Sequence, residues 1–273
     1  MTQHRTSAPI LINNVRVFNA GDDVDSELTE PTSVLIQDRK IAAIGGKTEP
    51  QPETVVIEGG GRVLMPGLSD AHVHLFAAGT TQAELITGAT GMNYYNALAE
   101  AGRMLMRGFT TVRDMAGDVA SLRQVLDSGT FPGPRIYPSQ AAVSQTSGHG
   151  DFSAVHEDAT TFSCGLHPRA EQIGFMRVAD GRDQVLAAVR EQLKKGAVQI
   201  KIMAGGGVSS AFDPLDVLQY TPDELRAAVE AAADWVPTCP RTSTTTRASA
   251  VRSTPESSRS NTATSPPAVR PSS

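Results

Sequence analysis

The sequence predicts an α/β protein, and three observations along its 273 residues lead to that class. Short β-rich runs separated by turn residues precede Pro66, as in a small β-domain. After Pro66, apolar strand-like runs alternate with amphipathic helical stretches, which is typical of βα units. Beyond Trp235, Ser, Thr, Pro and Arg dominate, and such a segment cannot bury enough apolar surface to offset its ordering entropy. We therefore expect a β-domain at 1–66, βα units at 67–235 and disorder at 236–273.

Composition and charge limit the function classes. The chain contains 40% hydrophobic and 19% charged residues, which suits a globular protein with a sizeable core. Its formal charge of -5 gives no basic surface for phosphate backbones or anionic membranes, so we expect neither nucleic acid nor a membrane as partner. Cys164 and Cys239 make no disulfide framework, and there is no signal-peptide-like segment and no run of roughly 18 apolar residues. A cytoplasmic location is expected.

The N-terminal β-domain is predicted to be antiparallel. Turn residues such as Gly21-Asp22-Asp23, Asp38-Arg39-Lys40 and Gly59-Gly60-Gly61 separate its strands. The predicted strands cover residues 10–18, 33–37, 41–44, 55–58 and 62–64.

The second part is predicted to contain four strands and three helices. Gly108 and Gly196 each follow a helical stretch and favour its C-terminus. Thr221 and Glu224 form a capping box with Pro222 in the first turn, so a helix begins there and runs to Asp234. The strands are predicted at 68–75, 110–114, 135–143 and 197–203, and the other two helices at 94–107 and 183–195.

Two histidines lie two residues apart in the first of these strands. Side chains alternate along a strand, so His72 and His74 point to one face, together with Asp70. Two adjacent imidazoles can supply half of the ligands of a site for a first-row transition metal. The alternative is a pair of core or surface histidines without a metal.

A lysine lies in the fourth predicted strand. Alternation sends Ile200 and Ile202 to one face and Lys201 to the other, where apolar surroundings disfavour the charged amine. A neutral amine can react with carbon dioxide, whereas the alternative is a lysine whose head group reaches solvent. The following glycines, residues 205–207, lack the Lys-Ser/Thr ending of a phosphate loop, so a sharp backbone turn is the better interpretation.

Four motifs follow one another along the chain. They are the strand into His72-Val73-His74, the stretch 108–114, Ser147-Gly148-His149-Gly150-Asp151 and the stretch 200–207. In this order they resemble the amidohydrolase superfamily, in particular the imidazolonepropionase-like and Xaa-Pro dipeptidase-like metal-dependent hydrolases, which include ochratoxin-type amidases. The likeness covers residues 9–235 and implies the N-terminal part of a (β/α)8 TIM barrel, about four βα units, together with a small β-sandwich domain.

The resemblance also implies a chemistry. His72 and His74 would bind the first of two divalent metals, usually zinc, and Lys201, carboxylated on its amine, would bridge both. A metal-activated hydroxide would then hydrolyse a carbon–nitrogen bond in a small amide or dipeptide-like substrate. His149, Asp70 and Asp114 are the candidate catalytic residues. His149 would contact the substrate or the groups around the ligands, and the two aspartates would orient a ligand imidazole.

Part of the family pattern has no counterpart in this chain. The pattern includes histidines from strands five and six and an aspartate from strand eight, whereas all six histidines here lie at or before residue 167. We therefore expect a chain truncated or frameshifted after about residue 235, with an incomplete site. Two alternatives to a working amide hydrolase stay open. One is an inactive half-barrel that binds a partner or forms a homo-oligomer, and the other is a cyclic-amide hydrolase or deaminase of the same superfamily.

Overall fold

The structure, a computed structural model, describes residues 8–18, 28–46, 50–159, 167–208, 210, 212–235 and 248–251. The chain divides into two compact units, Met1–Gly67 and Leu68–Ser273. Within the described ranges, no helix combines the length and the apolar composition that crossing a membrane requires.

The first unit contains one four-stranded sheet among its described residues. Its strand order is β3-β2-β1-β4. The pairs β1–β2 and β2–β3 are antiparallel, but β1 and β4 run parallel, so the prediction of an antiparallel domain is wrong for that pair. The chain leaves the sheet at one edge and returns at the other, and such long-range pairing leaves no local sequence signal. The strands are β1 (Ile10–Val17), β2 (Thr32–Gln37), β3 (Lys40–Ile44) and β4 (Val55–Leu64).

The glycine run of this unit lies inside β4 and does not separate two strands. The register with β1 shifts there, because Asn13 pairs with Glu58 whereas Val15 pairs with Arg62. A Cβ on Gly59 would lie 2.2 Å from a methyl of Val15, and the next two residues have φ of 60° and 75°. Glycine therefore forms a bulge that joins the predicted strands 55–58 and 62–64 into one.

The described residues of the second unit form two parallel sheets. Their orders are β5-β6-β7 and β11-β10-β8-β9, and they do not close into a barrel within the described residues. All pairs between neighbouring strands are parallel, as predicted for βα units. The strands are β5 (Leu68–Val73), β6 (Phe109–Asp114), β7 (Arg135–Pro138), β8 (Ala142–Ser144), β9 (Met176–Val178), β10 (Ile200–Met203) and β11 (Ala248–Val251).

The third predicted strand, 135–143, is broken into two. Gln140 has a φ of 59°, a left-handed conformation that a continuous strand cannot contain. As a result, β7 pairs with β6, whereas β8 pairs with β9 and β10. The N–H of Val198 donates to the carbonyl of Pro138 at 2.9 Å, which keeps the β7–β8 segment beside β10. Each of the four predicted strands therefore lies beside the strand that follows it in the predicted order.

Strand β11 lies within the segment predicted to be disordered. Its residues pair in parallel with β10, whose outer edge would otherwise present unpaired backbone groups. The rest of 236–273 lies outside the described residues, so disorder stays a prediction there.

The predicted helices form, and three further α-helices accompany them in the part of the chain that the structure describes. Gly108 and Gly196 follow α2 and α5 with φ of 94° each, as expected of glycines at a helix C-terminus. The capping box of α6 is confirmed, since the Thr221 N–H donates to the Glu224 carboxylate at 2.7 Å and the Glu224 N–H donates to the Thr221 hydroxyl at 3.4 Å. The helices are α1 (Gln82–Thr87), α2 (Thr90–Met106), α3 (Ala120–Asp127), α4 (Arg169–Gln172), α5 (Gly181–Lys194) and α6 (Pro222–Asp234).

Two buried clusters lie on opposite faces of β10. Ile200 and Ile202 belong to a cluster that includes residues of α5 and α6. Met203 belongs to a second cluster, which contains Phe76 and Val112. The predicted alternation along this strand is thus confirmed for its apolar residues, and Lys201 lies between two residues that face the helices.

Candidate active site

The two histidines of the sequence motif lie at the carboxyl end of β5. The strand ends at Val73, and His74 begins a short 3-10 turn, Leu75–Ala77. The ring centroids of His72 and His74 are 5.1 Å apart with an interplanar angle of 75°. The structure therefore brings the two rings together, although His74 lies just beyond the strand that was predicted to contain it.

The surroundings of both imidazoles favour the neutral form. Both residues are exposed, yet the protein atoms around each ring displace enough water to desolvate it. This desolvation, followed by the charges of His72 and Lys201, lowers the pKa of His74 to about 4. Desolvation also lowers the pKa of His72, with help from Lys201 and Arg113. A neutral imidazole has a lone pair available for a metal.

Two carboxyl groups hold the backbone on either side of these rings. Asp70 accepts the His72 N–H at 3.0 Å. Asp114, at the end of β6, accepts the Leu75 N–H at 2.7 Å. Asp114 is fully buried, and this burial raises its pKa to about 7 despite the hydrogen bonds that it accepts from backbone N–H groups. Both carboxyls thus position the segment that carries the histidines, and a direct role in orienting either ring stays a prediction.

Lys201 lies in β10, which belongs to the other parallel sheet of this unit. Only 6% of the residue is exposed, and burial, followed by the charge of Arg113, lowers the pKa of its amine. Its charge influences both His72 and His74, so the three groups share one region. Arg113 also ties β6 to β5, because its Nε–H donates to the carbonyl of Ala71 at 2.7 Å.

His149 lies in a second polar cluster, which includes residues that sequence reasoning missed. Its Nδ1 lies 2.8 Å from the hydroxyl of Ser210 and 3.3 Å from Oδ2 of Asp213. Its backbone N–H donates to the side chain of Gln219 at 3.0 Å. Asp213 and Ser210 lie in the loop after β10, 61 or more residues from His149 along the chain, so no local motif joins them. The signal that the sequence offered was a group of polar residues that follows β10 and the glycines after it.

The glycine run after β10 is explained by close packing. A Cβ on Gly206 would lie 1.9 Å from the carbonyl oxygen of Pro214, and one on Gly207 would lie 2.1 to 2.7 Å from atoms of the His149 ring. Only glycine leaves room for these contacts. The glycines therefore let the loop 212–219 and His149 approach the backbone, and the predicted sharp turn is not seen at 205–207, where Gly205 instead pairs with Leu218 in an antiparallel bridge.

The loop that carries His149 is held by Asp151 and Ser144. The Asp151 carboxylate accepts the N–H groups of Ser147 at 2.8 Å and Ser153 at 3.1 Å. The N–H of Gly150 donates to the Ser144 hydroxyl at 2.9 Å. A cavity of about 360 Å³ lies beside this loop, a size suited to a small ligand. Its lining includes Gln82, Ile86, Asp151, Phe152, Ser210 and Phe212.

The donors present fit part of a divalent metal site. Neutral imidazole nitrogens are ligands that zinc prefers, and His72 and His74 supply two of them. Among the described residues, no group of three or more His, Cys, Asp or Glu side chains converges on one point. A third donor from this region would therefore have to come from Lys201, whose amine becomes an oxygen ligand only when carboxylated.

Comparisons with known proteins identify one family and several similar enzymes. The profile of the Amidohydrolase family matches residues 63–236. Ochratoxinase of Aspergillus niger is 35% identical over 221 residues, which are 77% of this chain and 45% of that protein. A crystal structure of a prolidase complexed with N-methylphosphonate-L-proline is 36% identical, with a TM-score of 0.73 over 83% of this chain and 54% of that chain. A Xaa-Pro dipeptidase with bound methionine in the active site is 31% identical, with a TM-score of 0.69 over 84% of this chain and 55% of that chain. The chain thus spans about half the length of these relatives.

Proposed function

The chain belongs to the amidohydrolase family, and from this membership we propose that it hydrolyses a carbon–nitrogen bond of a small amide or dipeptide-like substrate with the help of divalent metal ions. The observation that carries the proposal is the pairing of His72 and His74 at the carboxyl end of β5, with ring centroids 5.1 Å apart and with Lys201 close enough for its charge to lower the pKa of both rings. In complete (β/α)8 barrels, catalysis takes place at the carboxyl ends of the strands.

The chain's own residues would hold the metal ions as follows. His72 and His74 supply neutral nitrogen donors, and the lowered pKa of both rings supports that role. Lys201 is the candidate for carboxylation and for the bridge between two zinc ions, because burial and Arg113 lower the pKa of its amine. When bound, a divalent metal lowers the pKa of water and polarises a carbonyl group, which is the chemistry that amide hydrolysis needs.

The remaining residues would orient the reacting groups. Asp114 and Asp70 hold the backbone beside the two histidines, so that both rings keep their positions. His149 lies in a loop after β8 and is the candidate for contact with the substrate. The neighbouring cavity, with apolar side chains such as Phe152 and Phe212, has room for an apolar substituent of the substrate.

The substrate class follows from the relatives. Their names include ochratoxinase, a prolidase complexed with N-methylphosphonate-L-proline and a Xaa-Pro dipeptidase with bound methionine. We therefore place the substrates of this chain among N-acyl amino acids and dipeptides. Such molecules carry an amide bond next to a carboxylate.

The test is hydrolysis of a panel of N-acyl amino acids and Xaa-Pro dipeptides, followed as release of free amine by the full chain. We expect turnover that a chelator abolishes and zinc restores. His72→Ala should abolish turnover, whereas His156→Ala, a change at an exposed loop histidine, should leave it unchanged. A folded chain without metal-dependent turnover on any member of the panel would favour the inactive half-barrel.

A separate measurement tests the carboxylation of Lys201. Intact mass spectrometry under native conditions with bicarbonate should show the gain of one carbon dioxide, and Lys201→Ala should remove it. Lys194→Ala, at an exposed lysine near the end of α5, is the matched control and should keep the gain. An unmodified chain at every bicarbonate concentration would contradict the bridging role.

A further inference from the structure

A buried aspartate lies behind the His149 ring. The side chain of Asp213 has no exposed surface, and its Oδ2 accepts the Gly207 N–H at 2.9 Å and a Gln219 side-chain N–H at 3.1 Å. The same oxygen lies 3.3 Å from Nδ1 of His149. The hydroxyl of Ser210 donates to the other carboxylate oxygen, Oδ1. All these neighbours present hydrogens to the carboxylate, so Asp213 acts as an acceptor on both oxygens.

This arrangement decides which nitrogen of His149 carries a proton. The single hydrogen of the Ser210 hydroxyl is directed at Asp213, with the Gly207 carbonyl as a longer second acceptor at 3.4 Å. The Ser210 oxygen can therefore only accept from Nδ1 of His149, which lies 2.8 Å away. The carboxylate of Asp213 favours a hydrogen on the same nitrogen. In a neutral imidazole with Nδ1 protonated, the lone pair is on Nε2.

We propose that Asp213 is a positioning residue, which acts through Ser210 and by direct contact to hold His149 in one orientation with Nδ1 protonated. The link from Asp213 to substrate rests on the proposed function, because it assumes that His149 contacts the substrate. The tautomer itself does not depend on that assumption.

The close fit around the ring supports the proposal. Gly207 lies against the His149 ring so closely that even a methyl group would clash, and the Gly207 N–H is also one of the donors to Asp213. One glycine thus both limits the position of the ring and helps to hold the aspartate. A histidine with only a packing role would not require a buried carboxylate behind it, because burying a charge is unfavourable unless it is paired and hydrogen-bonded.

The proposal predicts a reversal of the tautomer in Asp213→Asn. The Gly207 and Gln219 N–H groups both point at the Oδ2 position, so the asparagine oxygen would take that place and its NH2 group would face Ser210. Ser210 would then accept from the new amide and donate to Nδ1 of His149. The proton of a neutral imidazole would move to Nε2.

The experiment is long-range 1H–15N NMR of the histidine rings in the full chain, with His149→Gln used to assign the signal. We expect a Nδ1-protonated ring in the wild type and a shift towards Nε2 protonation in Asp213→Asn. Ser210→Ala should keep the wild-type tautomer, because the negative charge of the carboxylate stays 3.3 Å from Nδ1, whereas Asp213→Asn removes that charge and turns the Ser210 donor towards Nδ1. Asp216→Asn, at an exposed aspartate of the same loop, is the control and should also keep it.

Two results would overturn the proposal. One is a Nε2-protonated ring in the wild type, a measurement that needs no variant to fold. The other is an unchanged Nδ1-protonated ring in Asp213→Asn. Neither readout requires turnover, so a chain with the expected tautomers but no hydrolysis would refute the proposed function and leave the role of Asp213 in place.

Discussion

Asp114 should make the stability of the protein depend on pH in a way that one substitution removes. Burial raises the pKa of this carboxyl from 3.8 to about 7 in the folded protein. The folded state therefore binds a proton more tightly than the unfolded state. The stabilising contribution of Asp114 is complete below about pH 4, declines as the pH rises and is lost above about pH 7.

The magnitude follows from the two pKa values. At about 1.36 kcal/mol per pH unit, the difference between 3.8 and about 7 corresponds to roughly 4 kcal/mol in total. Between pH 4.5 and pH 8, the part of this effect that is lost is roughly 3 kcal/mol. Asp114→Asn keeps an acceptor for the Leu75 N–H but cannot ionise, so it should not show this loss.

The assay is urea unfolding of the wild type and Asp114→Asn at pH 4.5 and pH 8, in a chelator so that no metal contributes. His74 also titrates in this range, with its pKa lowered to about 4, but it is present in both proteins and cancels in the difference. We expect the wild type to lose roughly 3 kcal/mol relative to the variant as the pH rises. A difference between the two proteins that stays constant to within about 1 kcal/mol would refute the assignment of a raised pKa to Asp114.

Two further substitutions test the packing and the capping that position the site, both by urea unfolding. Phe76→Ala should lower the free energy of unfolding by about 3 to 5 kcal/mol, because the ring is fully buried. Phe131→Ala, at a ring that is 46% exposed, should lower it by less than about 1 kcal/mol, and equal losses would contradict this account of the core. Thr221→Ala should lower it by about 1 kcal/mol through loss of the α6 capping box, whereas no change would mean that the cap contributes nothing to stability.

Local signals in the sequence predicted the elements of the second unit well. The capping residues around Thr221 and the glycines after α2 and α5 act within a few residues, so their effect can be recognised without the fold. Alternation along β10 likewise predicted that Ile200 and Ile202 share one face, and both belong to the cluster that includes residues of α5 and α6. These features depend on backbone geometry that neighbouring residues determine.

The features that sequence reasoning missed depend on distant contacts. The parallel pairing of β1 with β4 and the break at Gln140 follow from where the chain returns to a sheet. Strand β9 has only three residues, too few for a period to be recognised. Distance along the chain also decided which parts of the site could be predicted. His72 and His74 form a local motif that the sequence shows directly, whereas the contact of His149 with Asp213 joins two loops.

Zinc binding by the full chain tests the central claim most directly. Equilibrium dialysis followed by metal analysis should show zinc bound to the wild type and to His156→Ala. In His72→Ala and His74→Ala, we expect the zinc affinity to fall at least roughly 100-fold, since the loss of a ligand should exceed the effect of losing a group that only supports one. A wild-type chain that binds no zinc, or a His72→Ala variant that binds it as tightly as the wild type, would contradict the assignment of this histidine pair as the metal-binding part of a hydrolase site.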